Sequence, residues 1–253
     1  MKRWLRIALL LICFSGFSTG CANLPFLSAK SVEADKKVKV VTAEDVLKKA
    51  KDAFNEVTYL EFEKDMLIGG ASDEHILYHA FLKDSSYTVY EQLTYYSEDE
   101  VSFKIENYYD SHDAILDTYT RYLKEDQEPE EWYYALINNP EEINETILNY
   151  QECMDAISPT LFDNYAIEAL SLTEEDLNGE DCYLLTYDSK NVSNATKDEI
   201  IVMYLDKKNY FPVLVTANET VNGIAYDNTY KLSNLNSKQT LEIPAEAKQA
   251  CIR

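Results

Sequence analysis

Cys21 is the residue whose neighbours specify a chemistry most directly. It ends the run Phe17-Ser18-Thr19-Gly20-Cys21, and small residues directly before a cysteine resemble a bacterial lipobox, whose thiol becomes a lipidated first residue. Lys2, Arg3 and Arg6 precede an uncharged stretch from Ile7 to Phe17, which is the charged, apolar and cleavage-site order of a secretory signal. That stretch is about half of the roughly 20 residues a membrane-spanning helix needs. The expectation is a signal over residues 1–20, cleavage before Cys21, and attachment to the cell membrane through acyl chains on Cys21. Two or more chains on one residue anchor a protein stably where one does not.

The other residues capable of chemistry point away from catalysis. His75 and His79 have the spacing of a zinc pair on a helix, but the alternation around them reads as a strand, where four residues span about 13 Å. Glu174-Glu175-Asp176-Leu177-Asn178-Gly179 mimics the first half of a calcium loop, yet Leu185 stands where the closing bidentate acid belongs. Asp110-Ser111-His112-Asp113 lies between two strand-like runs with no nucleophile motif beside it, and reads as a polar turn. No G-x-S-x-G elbow, phosphate-cradling loop or Cys-x-x-Cys pair occurs, and the chain has six glycines in all. Neither enzyme activity, nor a metal, nor a cofactor is expected.

Charge narrows the partners. Cutting before Cys21 removes three basic residues and no acidic one, which takes the formal charge from −22 to −25. Nucleic acid is not an expected partner, and anionic lipid headgroups should repel the folded part. Cys153, Cys182 and Cys251 remain after processing, an odd set in a long chain, so stability must come mainly from a hydrophobic core.

Residues 21–41 are small, polar and charged and read as a flexible tether, and the folded part is expected over residues 42–253. Thr42 with Asp45 three residues on, followed by Val46, Ala50, Phe54 and Val57 on one face, predicts an amphipathic helix. The period then changes to two. Thr58–Ile68, His75–Leu82, Tyr87–Tyr96, Val101–Tyr108 and Ala114–Leu123 read as an antiparallel meander. Trp132–Ile137 suits either a strand or a helix entry. Asn139-Pro140-Glu141-Glu142 starts a helix whose apolar face runs to Ile157, where Pro159 stops it. Strands return at Tyr165–Leu172, Cys182–Asp188, Ile200–Asp206, Phe211–Val221 and Ile224–Leu235.

This order, behind a lipobox, resembles the half-barrel lipoprotein-carrier superfamily that includes LolA, LolB, RseB and the LppX-type lipoproteins. The residues that carry the resemblance are Asn178 to Leu185, a strand entered through glycine; Ile201 to Asp206 followed by Tyr210-Phe211-Pro212-Val213; and the closing segment Leu241-Glu242-Ile243-Pro244-Ala245-Glu246-Ala247. The resemblance implies an α+β fold in which a strongly curved antiparallel sheet, an incomplete barrel, wraps around a few helices. It implies a concave apolar face that takes a hydrophobic or amphipathic small molecule, with Leu60, Phe62, Met66, Val101, Phe103, Ile105, Ile143, Ile147, Tyr150 and Met154 as its expected lining. The alternative is a non-catalytic adaptor that binds an envelope or cell-wall protein, like a germination lipoprotein of similar plan. Because the closing segment packs back on the sheet in such proteins, any one disulfide is expected to be Cys182–Cys251, with Cys153–Cys182 next, and three unpaired thiols are the alternative.

Overall fold

The computed structural model describes residues 41–83, 86–98, 100–123, 128–192, 195, 197–238 and 240–250. The expected signal, Cys21 and most of the tether lie outside these residues. The described residues from Val41 onward belong to one compact unit.

Thr42 caps α1 (Ala43–Asn55) by accepting the Asp45 N–H at 3.1 Å, with Glu44 and Asp45 at the positive helix end. The chain then forms β1 (Tyr59–Ile68), β2 (Ala71–Lys83), β3 (Ser86–Ser97), β4 (Glu100–His112) and β5 (Ile115–Leu123). Trp132–Ile137 resolves as a strand, β6 (Tyr133–Ile137). The helix expected between Asn139 and Pro159 is two helices, α2 (Pro140–Thr146) and α3 (Leu148–Ile157), because Ile147 leaves helical geometry at φ −101°, ψ 9°.

The strand expected from Tyr165 begins later. Pro159 opens a 3-10 helix, Pro159–Asn164, capped by the Ser158 hydroxyl, and a second short turn, Ile167–Ala169, delays β7 to Leu170–Leu177. The calcium-like stretch is thus the end of β7 and its hairpin turn, where Asn178 and Gly179 both take positive φ, 56° and 91°. The strands β8 (Glu180–Asp188), β9 (Asp198–Asp206), β10 (Pro212–Val221) and β11 (Ile224–Ser233) follow, then α4 (Ala245–Gln249).

All eleven strands join one antiparallel sheet in the order β6-β5-β4-β3-β2-β1-β11-β10-β9-β8-β7. The β1–β11 pairing welds the two meanders together, with Phe62 opposite Leu232 on one side and Tyr78 on the other. The β6 and β7 strands are left as edges, so the sheet curves without closing. The fold is α+β, an incomplete barrel around a few helices.

Alternation assigns one face of every strand to the inside. Leu60, Phe62, Ile76, Tyr78, Val89, Leu93, Leu185, Ile201, Met203, Val215 and Leu232 belong to one buried cluster. The helices fill the hollow of the curve. Helix α1 packs on the first 3-10 helix and β7, and α3 packs on β10. Phe54 of α1 stacks on Phe211 at 5.8 Å, while Tyr150 of α3 meets Tyr78 at 5.7 Å.

Candidate functional site

The inner face is chemically divided. On β7–β11 it is largely aliphatic, through Leu185, Ile201, Met203, Leu205 and Val215, and α1, α3 and the 3-10 helix cover it. On β1–β5 polar groups replace much of that surface. Lys64 and Glu74 form an ion pair at 2.8 Å, with side chains 15% and 11% exposed. Glu91, 3% exposed, accepts from Tyr78 Oη at 2.6 Å, Asn107 Nδ2 at 2.7 Å and Tyr109 Oη at 2.8 Å. Asn107 Oδ1 in turn accepts from the Thr120 hydroxyl at 2.8 Å. A buried carboxylate needs such donors, since an unsatisfied one costs several kcal/mol.

Burial nonetheless pushes the Glu91 carboxyl above its usual range, outweighing the bonds from Tyr78, Asn107 and Tyr109. A folded-state pKa raised above the unfolded value contributes stability fully at low pH and loses it as pH rises through the folded value. The wild-type urea midpoint should therefore fall, relative to that of Glu91→Gln, as pH climbs from about 4.5 into that raised range. Parallel midpoint-against-pH curves for the two proteins would show that the fold does not raise the Glu91 carboxyl above its ordinary range.

The ten expected lining residues do not form one open wall. Leu60, Phe62, Ile147 and Tyr150 are 0–6% exposed core, and Ile105, Ile143 and Met154 are half-buried against that core. Met66 lies farther along β1 beside a cleft of about 360 Å³ shared with Asp65, Glu74, Tyr96 and Lys231. Val101 is half-buried on β4, and Phe103 is 40% exposed, stacked on Tyr95 at 4.7 Å. Around Leu60, Phe62, Ile147 and Tyr150 the hollow is occupied, since helix and sheet side chains belong to one cluster there.

His75 and His79 share the outer face but serve different partners. His75 Nδ1 lies 2.7 Å from Asp65 Oδ1, and His79 Nδ1 lies 3.7 Å from Glu61. Cys153 faces the inner core from α3, where burial pushes its thiol up to about 12, and Cys182 is buried on the outer face of β8. Both are free thiols with the sheet between them. Of the expected Cys182–Cys251 pairing only Cys182 is described, and the C-terminal segment that leads toward Cys251 lies away from it. The segment runs toward β6, whereas Cys182 sits beside the opposite edge. Cys251 itself lies outside the described residues.

That segment straps the outer face. After β11, Asn236 accepts the Thr58 N–H at 2.8 Å and donates its own N–H to the Tyr59 carbonyl at 2.7 Å. Lys238 Nζ reaches Glu61 at 2.8 Å and lies over the Tyr59 ring at 5.2 Å. Glu61 also accepts from Tyr59 Oη and Asn234 Nδ2. Burial pushes its carboxyl up, but the bonds from Lys238, Tyr59 and Asn234, helped by the His79 charge, hold it at about 2. Farther on, Ile243 and Ala247 bury themselves against Tyr119, flanked by Tyr108, Trp132 and Tyr134.

Where the strap meets β6 a cleft of about 810 Å³ opens, lined by Glu130, Glu131, Trp132, Tyr133, Tyr134, Glu246, Gln249 and Ala250. Arg121 lies over the Trp132 ring at 4.6 Å and bonds Glu106 at 2.5 Å. The sequence signal for this cleft is faint. Two acids precede three aromatics, and Glu246 and Gln249 share one face of α4, but nothing local says that these meet.

No family model and no curated protein matches the chain. Among solved structures it is similar to MucB, described in complex with MucA(peri), at 12% identity and a TM-score of 0.30. The match covers 81% of this chain and 60% of that one, so the chain spans less than two thirds of its structural neighbour.

Proposed function

We propose that this chain is a lipid-anchored, extracytoplasmic binding protein without catalytic activity, and that it works by engaging an envelope protein rather than by carrying an amphiphile inside its fold. The observation that favours a protein partner is the filled hollow. Phe62, Tyr78, Tyr150, Ile157 and Phe162 are 0–6% exposed and belong to one contiguous core of sheet and helix residues. Ligand pockets of a few hundred Å³ or more are open before the ligand arrives, and an acyl chain here would have to displace α3. The polar half offers it Lys64, Glu74, Glu91 and Asn107, which a hydrocarbon cannot satisfy.

Three measurements on the full chain test this reading. A clickable fatty acid should label the wild-type protein and not Cys21→Ala. Native mass spectrometry should show the acylated polypeptide with no further amphiphile that organic extraction removes, and cross-linking in intact cells should recover one dominant envelope protein. Discrete extractable adducts on every molecule would restore the carrier.

A further inference from the structure

The two edges of the sheet are guarded differently. Strand β7 carries Glu174, Glu175 and Asp176 along its five C-terminal residues, and Lys207 pairs with Glu174 at 2.9 Å. Such charges discourage pairing with another strand. Strand β6 reads Tyr-Tyr-Ala-Leu-Ile, with no charge and no proline, and among the described residues it pairs with β5 alone. Tyr133 is 57% and Leu136 53% exposed. In an antiparallel edge strand alternate residues turn their N–H and C=O groups outward, unpaired.

The two sides of this edge differ in chemistry. On the inner side Tyr133 continues a lip with Tyr122, 42% exposed, and Phe103, 40% exposed. On the outer side the acidic, aromatic cleft opens, its carboxylates supplied by Glu130, Glu131 and Glu246. A strand added to β6 would send successive side chains to these two sides in turn. Arg121 on Trp132 shows that the outer side already holds one cation against an indole, with its charge matched by Glu106. The one basic residue of α4 is Lys248, in its last turn. Residues 41–253 carry 43 acidic and 16 basic side chains, a field that draws a cationic partner in.

We propose that the edge of β6, paired with β5 alone among the described residues, is a strand-addition site for an extended segment of the partner protein, one that alternates apolar residues with Lys or Arg. The apolar residues lie on the Phe103–Tyr122–Tyr133 lip and the cations enter the cleft at Glu246, while main-chain bonds to β6 supply the register. This rests on the partner-binding reading above and names the chemistry of the partner. A second copy of the chain is disfavoured as the occupant, because β6 paired with β6 would set two acidic clefts side by side.

The chain has two tryptophans, Trp4 and Trp132, and Trp4 lies within the expected signal, so in the lipid-anchored protein cut before Cys21 the indole fluorescence reports on the cleft alone. The probe is a capped peptide alternating Val and Lys over about eight residues, an ordinary strand length. The control repeats Val-Val-Lys-Lys, with the same composition and the wrong period. The alternating peptide should bind saturably by Trp132 fluorescence, about tenfold or more tighter than the control, and hydrogen exchange should slow at β6 and not at β7. Glu246→Lys and Leu136→Lys should each weaken it about tenfold while the thermal midpoint stays near wild type. Equal affinity for the two peptides, or protection away from β6, would overturn the proposal. So would a sedimenting dimer whose β6 amides are protected without peptide. Cross-links to a partner in cells that avoid β6 would sink the edge assignment and leave the partner-binding reading standing. Peptide binding at β6 with no partner recovered from cells would do the reverse.

Discussion

Tyr78→Ala should destabilise the protein by about 3–5 kcal/mol, the range for losing a buried aromatic ring, measured as the shift in urea unfolding free energy. Tyr78 is fully buried, stacks on Phe62 at 4.6 Å, and holds Tyr150 of α3 at 5.7 Å. Its ring therefore joins β2, β1 and α3. Its hydroxyl is also one of three donors to Glu91. Tyr78→Phe keeps the ring and removes that donor, so it should cost about 1–3 kcal/mol, the penalty for an unsatisfied buried group. The pair of variants separates packing from hydrogen bonding. It also bears on function, since a residue lining an open hollow loses little packing when truncated. A cost below about 1 kcal/mol for Tyr78→Ala would mean that the inner face is a cavity wall and not a core.

Much of this architecture was legible in the chain because strand alternation and helix periodicity are local. The even positions Leu60 and Phe62 are buried as their phase requires, and Val46 and Ala50 share one buried face of α1. Asn222-Gly223 turns β10 into β11 with both residues at positive φ, as an Asn-Gly pair permits. Hidden features depend on distant segments. Glu91 keeps the inward phase of Val89 and Leu93, yet a lone acid between strand residues reads as solvated until Tyr78, Asn107 and Tyr109 are seen to converge on it. Tyr59 has the outward phase and is still fully buried, because the strap, more than 170 residues later in the chain, crosses over it. Whether the hollow is filled or open could not be read from alternation at all. A cavity wall and a core need the same apolar positions, and only the volumes of α1, α3 and the 3-10 helix decide between them. The β6 cleft was missed for a related reason, since Trp132 and Glu246 meet through tertiary packing alone.

Glu61→Gln should release the C-terminal strap from the outer face and flatten the acid limb of the stability curve. The Glu61 carboxyl, on a side chain 12% exposed, is the common acceptor for Lys238, Tyr59 and Asn234, and it is held at about 2 against an ordinary 4.5. A depressed folded-state pKa contributes stability fully above the unfolded value and loses it as pH falls through the folded one, so the window runs from pH 4.5 down to about 2. With allowance for solvent screening of a group at the strap's margin, the contribution is on the order of 2 kcal/mol. Glutamine keeps the volume and one acceptor but loses the charge that Lys238 answers. Hydrogen exchange over residues 234–250 should therefore speed up in Glu61→Gln at neutral pH, and the wild-type strap should approach the same rate as pH nears 2. Release would also bare Tyr119 and the Trp132 side of the cleft, since Ile243 and Ala247 cover them. Trp132 fluorescence would shift toward that of a water-exposed indole in step with the exchange. Were exchange of the strap identical in wild type and Glu61→Gln across that window, the strap would be held by Asn236 and the Ile243–Ala247 contacts, with Glu61 a bystander.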